Sequence, residues 1–407
     1  MKKQSLYALA AAGLLAGGMS VTSASAADLG GNCCADLEER IAELEATTAR
    51  KGNRKVSLTI SGWVAEQVMW WDDGEESNVY VGGIGTTIGT NVKFTGQATI
   101  VPGWTAGYVI HIEADGSEGL LAQDEDTDNG KSVYTGSNNY VHTLQSYWFI
   151  KSESLGKLSV GLQSQASDNT AILVDGSGSL IPANYVQFDW GAFNVGAFAT
   201  CADCNGVPLN SVRYDTPTFA GFSASATWGE DDFWDVALRY AGEFAGFKLA
   251  AAAAYSESDD DCNGTRDFSV TPSLCAGTQG SNGTDTTQFF QVGAYVQHVP
   301  TGLFVYGAYG DFEEDLAGGV ESNFYYVKGG LRQRWTPLGH TVLYGEYENM
   351  DGESAGTNLD LWGAGVVQEI DNAAMSLWLT YRHIEGDDDA GNSAEFDYVK
   401  AGALINF

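Results

Sequence analysis

The sequence predicts an all-β fold, a transmembrane antiparallel barrel, and three observations predict it. Short segments alternate strictly between apolar and polar residues, as in Val56, Leu58 and Ile60 against Ser57, Thr59 and Ser61. Tight turns take turns with long polar stretches as connectors. The chain ends on the alternating strand Val399–Phe407, whose last residue is aromatic. A free terminal strand is an aggregation hazard unless it pairs, and closing a barrel against the first strand removes the edge.

In chain order, residues 1–26 read as a secretory signal. Lys2 and Lys3 form the charged start, Leu6 to Met19 the apolar run, and Ala24-Ser-Ala26 the small-residue cleavage site. Residues 27–53 form a separate segment. In it Leu37, Ile41, Leu44 and Thr48 recur at heptad spacing between charged residues, too briefly for a stable coil unless several chains are already held together.

Residues 54–407 carry the alternation. It recurs in Asn91–Ile100 and in Trp104–Asp115, with one face apolar and the other polar. Soluble sandwiches alternate too, so the connectors decide. Tight turns at 101–103, 153–156, 243–246, 299–302, 336–339 and 371–372 interleave with polar stretches at 71–90, 116–142, 166–183, 257–286, 311–322, 349–358 and 385–394. Short turns at one end and long loops at the other is the layout of a membrane barrel. The tally is roughly eighteen strands, with 184–199 and 229–232 the doubtful segments. Aromatics such as Trp70, Trp104, Trp148 and Tyr309 lie towards segment ends, as interfacial girdles require.

The formal net charge is −33. It excludes nucleic acid, which needs a basic footprint, and favours cations, either bridging surface carboxylates or drawn towards a pore. In an oxidising compartment Cys262 with Cys275, and Cys201 with Cys204, are plausible loop staples; Cys33 and Cys34 complete the six. The acid-rich tracts Asp124–Asp128, Asp259–Asp261, Asp311–Asp315 and Asp387–Asp389 are expected on long loops. The first opens like a calcium loop, but Thr135 stands where the twelfth-position acid belongs. The histidines His111, His142, His298, His340 and His383 are scattered, so neither a metal, a cofactor nor a catalytic triad is called for.

Asn210-Ser-Val-Arg-Tyr214-Asp-Thr-Pro217-Thr-Phe-Ala-Gly221-Phe222 resembles the strand-turn-strand of Gram-negative general porins, and Trp234–Gly242 and the terminal Phe407 fit the same pattern. Ala35–Leu44, Val56–Trp63 and Val367–Met375 narrow the resemblance to the alphaproteobacterial porins of rhizobia and their relatives. The resemblance implies a sixteen-stranded homotrimeric barrel passing small ions and hydrophilic solutes by diffusion, against the roughly eighteen segments counted. It also implies an infolded loop, best matched by Ser167–Ala183 after the fifth strand. Further implied partners are outer-membrane lipid, lipopolysaccharide, and the barrel-assembly machinery acting on the strand that Phe407 ends.

A diffusion pore needs a wet lumen and a constriction whose charges rank solutes. Polar faces turned inward place Lys93, Arg213, Arg239, Arg332, Arg334 and Arg382 at the lumen. Asp168 and Asp175 on the infolded loop would oppose that basic wall. In the competing arrangement the arginines pair with lumen acids such as Asp215 or Asp235 and only stabilise the wall. Two other functions stay open: a substrate-specific sugar channel, which needs an aromatic track in the lumen, and a surface adhesin or anchor, whose lumen would be blocked.

Overall fold

The computed structural model describes residues 55–74, 77–84, 89–114, 141–184, 208–229, 232–258, 286–314, 320–352, 357–387 and 393–407. The signal, the 27–53 segment, the six cysteines and the acidic tracts at 124–128 and 259–261 lie outside the described residues.

The alternating segments form one antiparallel sheet. Its first strands are β1 (Thr59–Asp72), β2 (Ser77–Gly82), β3 (Thr90–Val101), β4 (Trp104–Ala114), β5 (Val141–Ser152) and β6 (Gly156–Gln163). After the short helix α1 (Leu180–Asn184) come β7 (Leu209–Asp215), β8 (Phe222–Gly229), β9 (Trp234–Phe244), β10 (Phe247–Ser258), β11 (Thr287–His298) and β12 (Leu303–Glu314). The last five are β13 (Val320–Thr336), β14 (Gly339–Gly352), β15 (Thr357–Ile370), β16 (Met375–Asp387) and β17 (Ser393–Asn406). Most reach the ~9–11 residues that a tilted strand needs to cross a bilayer.

β2 and β3 share one place in the wall. β2 pairs with the far part of β1, from Gln67↔Gly82 to Asp72↔Ser77, and β3 with its near part, from Thr59↔Thr95 to Trp63↔Asn91. The wall therefore has sixteen strand positions and is closed. The count of eighteen is corrected for a physical reason. β6 pairs directly with β7 and β8 directly with β9, so the ladder has no further strand position between either pair.

Closure follows from the end of the chain. β17 pairs with β1 from Trp63↔Asn406 to Asp72↔Asp397. Gly62 and Phe407 exchange both backbone hydrogen bonds, each at 3.1 Å, so Phe407 completes the seam.

The tight turns fall where the sequence placed them, but several expected loops are strand. β12 to β17 run through much of 311–322, 349–358 and 385–394, and β2 lies within 71–90. Polar residues hide these extensions, because Asp311, Asp360, Glu385 and Asp397 stand on the outward rim beyond Tyr309, Trp362 and Tyr381. Tyr255, Tyr347 and Tyr381 each donate a hydroxyl hydrogen bond to such a carboxylate, Glu257, Asp360 and Asp397 respectively.

Period two sorts the faces. On β14, Val342, Tyr344 and Glu346 point inward and are buried, whereas Leu343 and Tyr347 point outward and are exposed. Large apolar side chains such as Val64, Leu238, Val305 and Leu379 are exposed outward. The aromatics are not confined to girdles at the segment ends. Tyr295, Phe304, Tyr306, Phe324, Tyr326, Tyr344, Trp378 and Tyr398 face inward, joined in one apolar cluster with Ile172, Val174 and Leu180 of the segment after β6. Strands such as Phe304-Val305-Tyr306 are apolar on both faces, which conceals the inward side from an alternation count.

Candidate functional site

Within the barrel the chain leaves β6 at Gln163 and runs inside the wall to α1 at Asn184. This is the segment the sequence nominated, after the fifth strand position. Its hydrogen bonds trace a path around the inner wall, strand by strand. Arg213 on β7 donates through Nη1 to the carbonyls of Ser164 and Gln165, at 3.0 and 2.8 Å. Thr227 on β8 accepts from the Ala166 amide at 2.8 Å. Asp235 on β9 accepts from both the amide and the hydroxyl of Ser167, each at 2.6 Å. Arg239, also on β9, donates to the Ala166 carbonyl and to Thr170 Oγ1.

The path continues onto β11. Gln291 accepts from the Ala171 amide at 2.8 Å and donates to the Ser167 carbonyl at 2.9 Å. Tyr306 on β12 donates to the Ala171 carbonyl at 2.8 Å. Lys328 on β13 meets Asp175 at 2.6 Å, with both side chains fully buried. Three tyrosine rings, Tyr306, Tyr326 and Tyr344, stand 5.5 to 6.0 Å from its Nζ. Arg332 then reaches the Gly176 carbonyl, and Arg382 on β16 reaches that of Ala183.

The wall is shaped for this loop. Ala166 packs against Ala237 and Ala254, small residues on the inner faces of β9 and β10. Gly293 on β11 has no room for a side chain, because a Cβ there would strike the backbone of Ala171. Apolar loop residues, Ile172, Val174 and Leu180, sit against the inward aromatics. The interior is thus packed along β7 to β16. The inner faces of β3 to β6 opposite carry the polar side chains Asn91, Lys93, His111, Glu113, Gln145 and Gln163, of which Lys93 and Gln145 are half-buried and the others buried, beside buried Val109 and Phe149.

The nominated charges divide accordingly. Asp168 is half-buried at the start of the loop, within electrostatic reach of Lys93, Arg213 and Arg239. Burial pushes its carboxyl up to about 6, against hydrogen bonds from Ser164 and Asn169 and the nearby guanidinium charges. Asp175 does not oppose the basic wall across open space, since Lys328 holds it buried. Arg213 pairs with Asp215 at 2.7 Å, Arg332 with Glu369 at 2.7 Å, and Arg382 with Glu346 at 2.7 Å. Arg334 pairs with Asp371 at the exposed short-turn end, away from the loop.

Arg213, Arg332, Arg334 and Arg382 are thus paired with acids, whereas Arg239 donates to Ser225 and to the loop, and four of the five tether the loop. Lys328, Gln291, Tyr306, Gly293 and Glu346 were not singled out from the sequence. Lys328 carried a usable signal: it is the one charge at inward parity in the run Phe324-Tyr-Tyr-Val-Lys328. Among the described residues no group of three or more His, Cys, Asp or Glu could hold a metal ion.

A model of Gram-negative porins matches residues 8–389. Among solved structures the chain is similar to an anion-selective porin from Comamonas acidovorans, at 15% identity and a TM-score of 0.55, covering 86% of this chain and 100% of that one. It is also similar to the trimer form of OmpT from Vibrio cholerae, at 14% identity and 0.52, covering 86% and 99%. The Salmonella typhi OmpF complex with daunomycin matches at 14% identity and 0.52, covering 87% and 98%. At these identities the likeness establishes a shared fold. No curated protein sequence matches the chain.

Proposed function

The chain belongs to the Gram-negative porin family and is an outer-membrane channel protein, and from that premise we propose passive diffusion of ions and small hydrophilic solutes with weak cation preference. The observation that carries the reading is the infolded loop, lashed to one side of the lumen and leaving a polar wall on the other. Such an arrangement narrows a wet passage without closing it, and a diffusion channel needs no catalytic group.

Cation preference draws support from charge accounting. The excess of acids is large, and Arg213, Arg239, Lys328, Arg332 and Arg382 are all engaged in holding the loop. Asp168 and Lys93 are then the charged pair that ranks solutes at the narrowest level. The sugar-channel alternative loses ground, because the inward aromatics are covered by the loop and offer a passing solute no track.

The motifs Ala35–Leu44, Val56–Trp63 and Val367–Met375 support an assignment to the alphaproteobacterial members of the family. Residues 1–26 are its export signal, 27–53 a helical segment on the periplasmic side, and Phe407 the end read by the assembly machinery. We also assign a homotrimer. Glu66 faces outward near mid-height between exposed Val64 and Val68, accepting a hydrogen bond from Thr90 at 3.4 Å. A carboxylate turned to lipid is unfavourable, so a face shared with other subunits suits it better. Outward rim acids such as Asp311 and Asp397 are placed for divalent bridges to lipopolysaccharide phosphates.

Planar-bilayer recording of the purified chain tests the channel reading. Ohmic steps arriving in threes, with a reversal potential of cation sign under a salt gradient, are expected. Silence would remove the channel, and an anion-sign potential would remove the preference.

A further inference from the structure

Lys400 is a buried cation without a counter-ion. It lies on the inner face of β17, between inward Tyr398 and Gly402, and is 1% exposed. Its Nζ stands 5.9 Å from the centre of the Tyr398 ring, and among the described residues no hydrogen bond or ion pair reaches it. The acids nearby are committed elsewhere. Glu346 accepts from Arg382 and Tyr326, and Asp175 is held by Lys328. Glu348 faces inward three strands away and two rows nearer the long-loop end. An ammonium taken out of water with no partner is costly.

The groups beside it share the deficit. Register sets Lys400, Thr380 and Gly365 side by side on β17, β16 and β15, with Tyr344 of β14 at the end of the row. The hydroxyls of Thr380 and Tyr344 are both buried and have no partner. The Tyr344 ring is folded over Gly365, where a Cβ would meet its Oη at 2.5 Å, so the hydroxyl is carried across β15. One row nearer the short turns, Trp378 lies over Gly402 in the same way. Its Nε1 is 2.6 Å from where a Cβ would stand, and that N–H is also buried and unpartnered. Neither ring could lie so if Gly365 or Gly402 bore a side chain.

An ammonium and an indole N–H can only donate, and each hydroxyl has a proton to give. Native interiors leave few such groups unpaired, so four in one patch call for a ligand that accepts. An anion answers both the idle donors and the uncompensated charge. We propose that Lys400, Thr380, Tyr344 and Trp378 form a buried site for a small monovalent anion of chloride size. Leu180 and Ala183 of α1 belong to the same packed cluster as Tyr344 and Trp378, so the site lies between the wall and α1 and not on the open lumen. The anion neutralises Lys400 and completes the floor on which the end of the infolded loop rests. This role goes beyond conduction, and its test needs no current.

Thermal unfolding of the detergent-folded full chain, in sodium chloride against sodium gluconate at equal ionic strength, reads the site, because gluconate is too large to enter it. Chloride should raise the parent's midpoint by roughly 2–4 °C. Lys400→Met should abolish that difference and be no less stable than the parent in gluconate. Equal parental midpoints in the two salts overturn the proposal, and so does a chloride shift that survives in Lys400→Met. If Lys400→Met does not fold, Thr380→Val keeps the shape, removes one donor and should cut the shift by roughly half; an undiminished shift overturns the proposal. Crystals of the parent grown in bromide should show an anomalous peak beside Lys400 Nζ. A water or nothing at that place overturns the proposal, whatever the channel conducts.

Discussion

At the scale of single residues, the molecule separates charges that hold from charges that select. Lys328 and Asp175 are fully buried and satisfy each other. Removing one partner leaves an uncompensated charge, so Asp175→Asn should lower stability by about 3–5 kcal/mol, whereas Asp175→Asn/Lys328→Met should recover most of the loss. Denaturant unfolding of detergent-folded protein checks both. Asp168 behaves differently because it is half-buried and its carboxyl is raised to about 6. It is neutral below that pH and charged above it. Cation preference should therefore grow as pH rises through about 6 and fade as it falls, and Asp168→Asn should flatten the step in reversal potential. Parity turns Arg213, Arg239, Arg332 and Arg382 inward, whereas Arg334 sits at the exposed turn end with Asp371. The sequence could not show that the inward four hydrogen-bond to loop carbonyls, because backbone acceptors leave no mark in a sequence.

At the scale of elements, the infolded loop was legible and its bed was not. Ser167–Ala183 stood out as a long polar connector after the fifth strand. What it rests on, the Ala237 and Ala254 floor and the Gly293 gap, reads in sequence as ordinary strand residues. Gly293→Val tests the bed. The new side chain overlaps the path of Ala171, so the variant should lose about 1–3 kcal/mol and show altered single-channel conductance. β2 was read as loop because Asn78, Gly82 and Gly83 are turn residues, yet pairing with β1 overrides that local preference. The rim extensions of β12 to β17 were missed for a related reason: above the aromatic level an outward strand position meets water, and acids there look like loop.

At the scale of the whole molecule, alternation and the two classes of connector specified a closed barrel, and only the ladder fixed the number of positions. A count made on segments treats any short alternating run as a strand. The direct β6–β7 pairing shows that a run with no free neighbour cannot be one. Closure depends on a terminal pairing between Gly62 and Phe407. Removing Phe407 deletes both hydrogen bonds of that pair, and the yield of heat-modifiable protein in the outer membrane should fall severalfold relative to the parent. A yield equal to the parent would show that the remaining β1–β17 ladder closes the seam unaided.

The order in which the loop meets the wall has a mechanical corollary. Its tethers land on β7, β8, β9, β11, β12, β13 and β16, so it works as an internal brace across about half the circumference. A hollow cylinder yields most easily by flattening to an ellipse. The brace resists that mode on its own side, and the thinner, unbraced arc is where the cross-section can breathe.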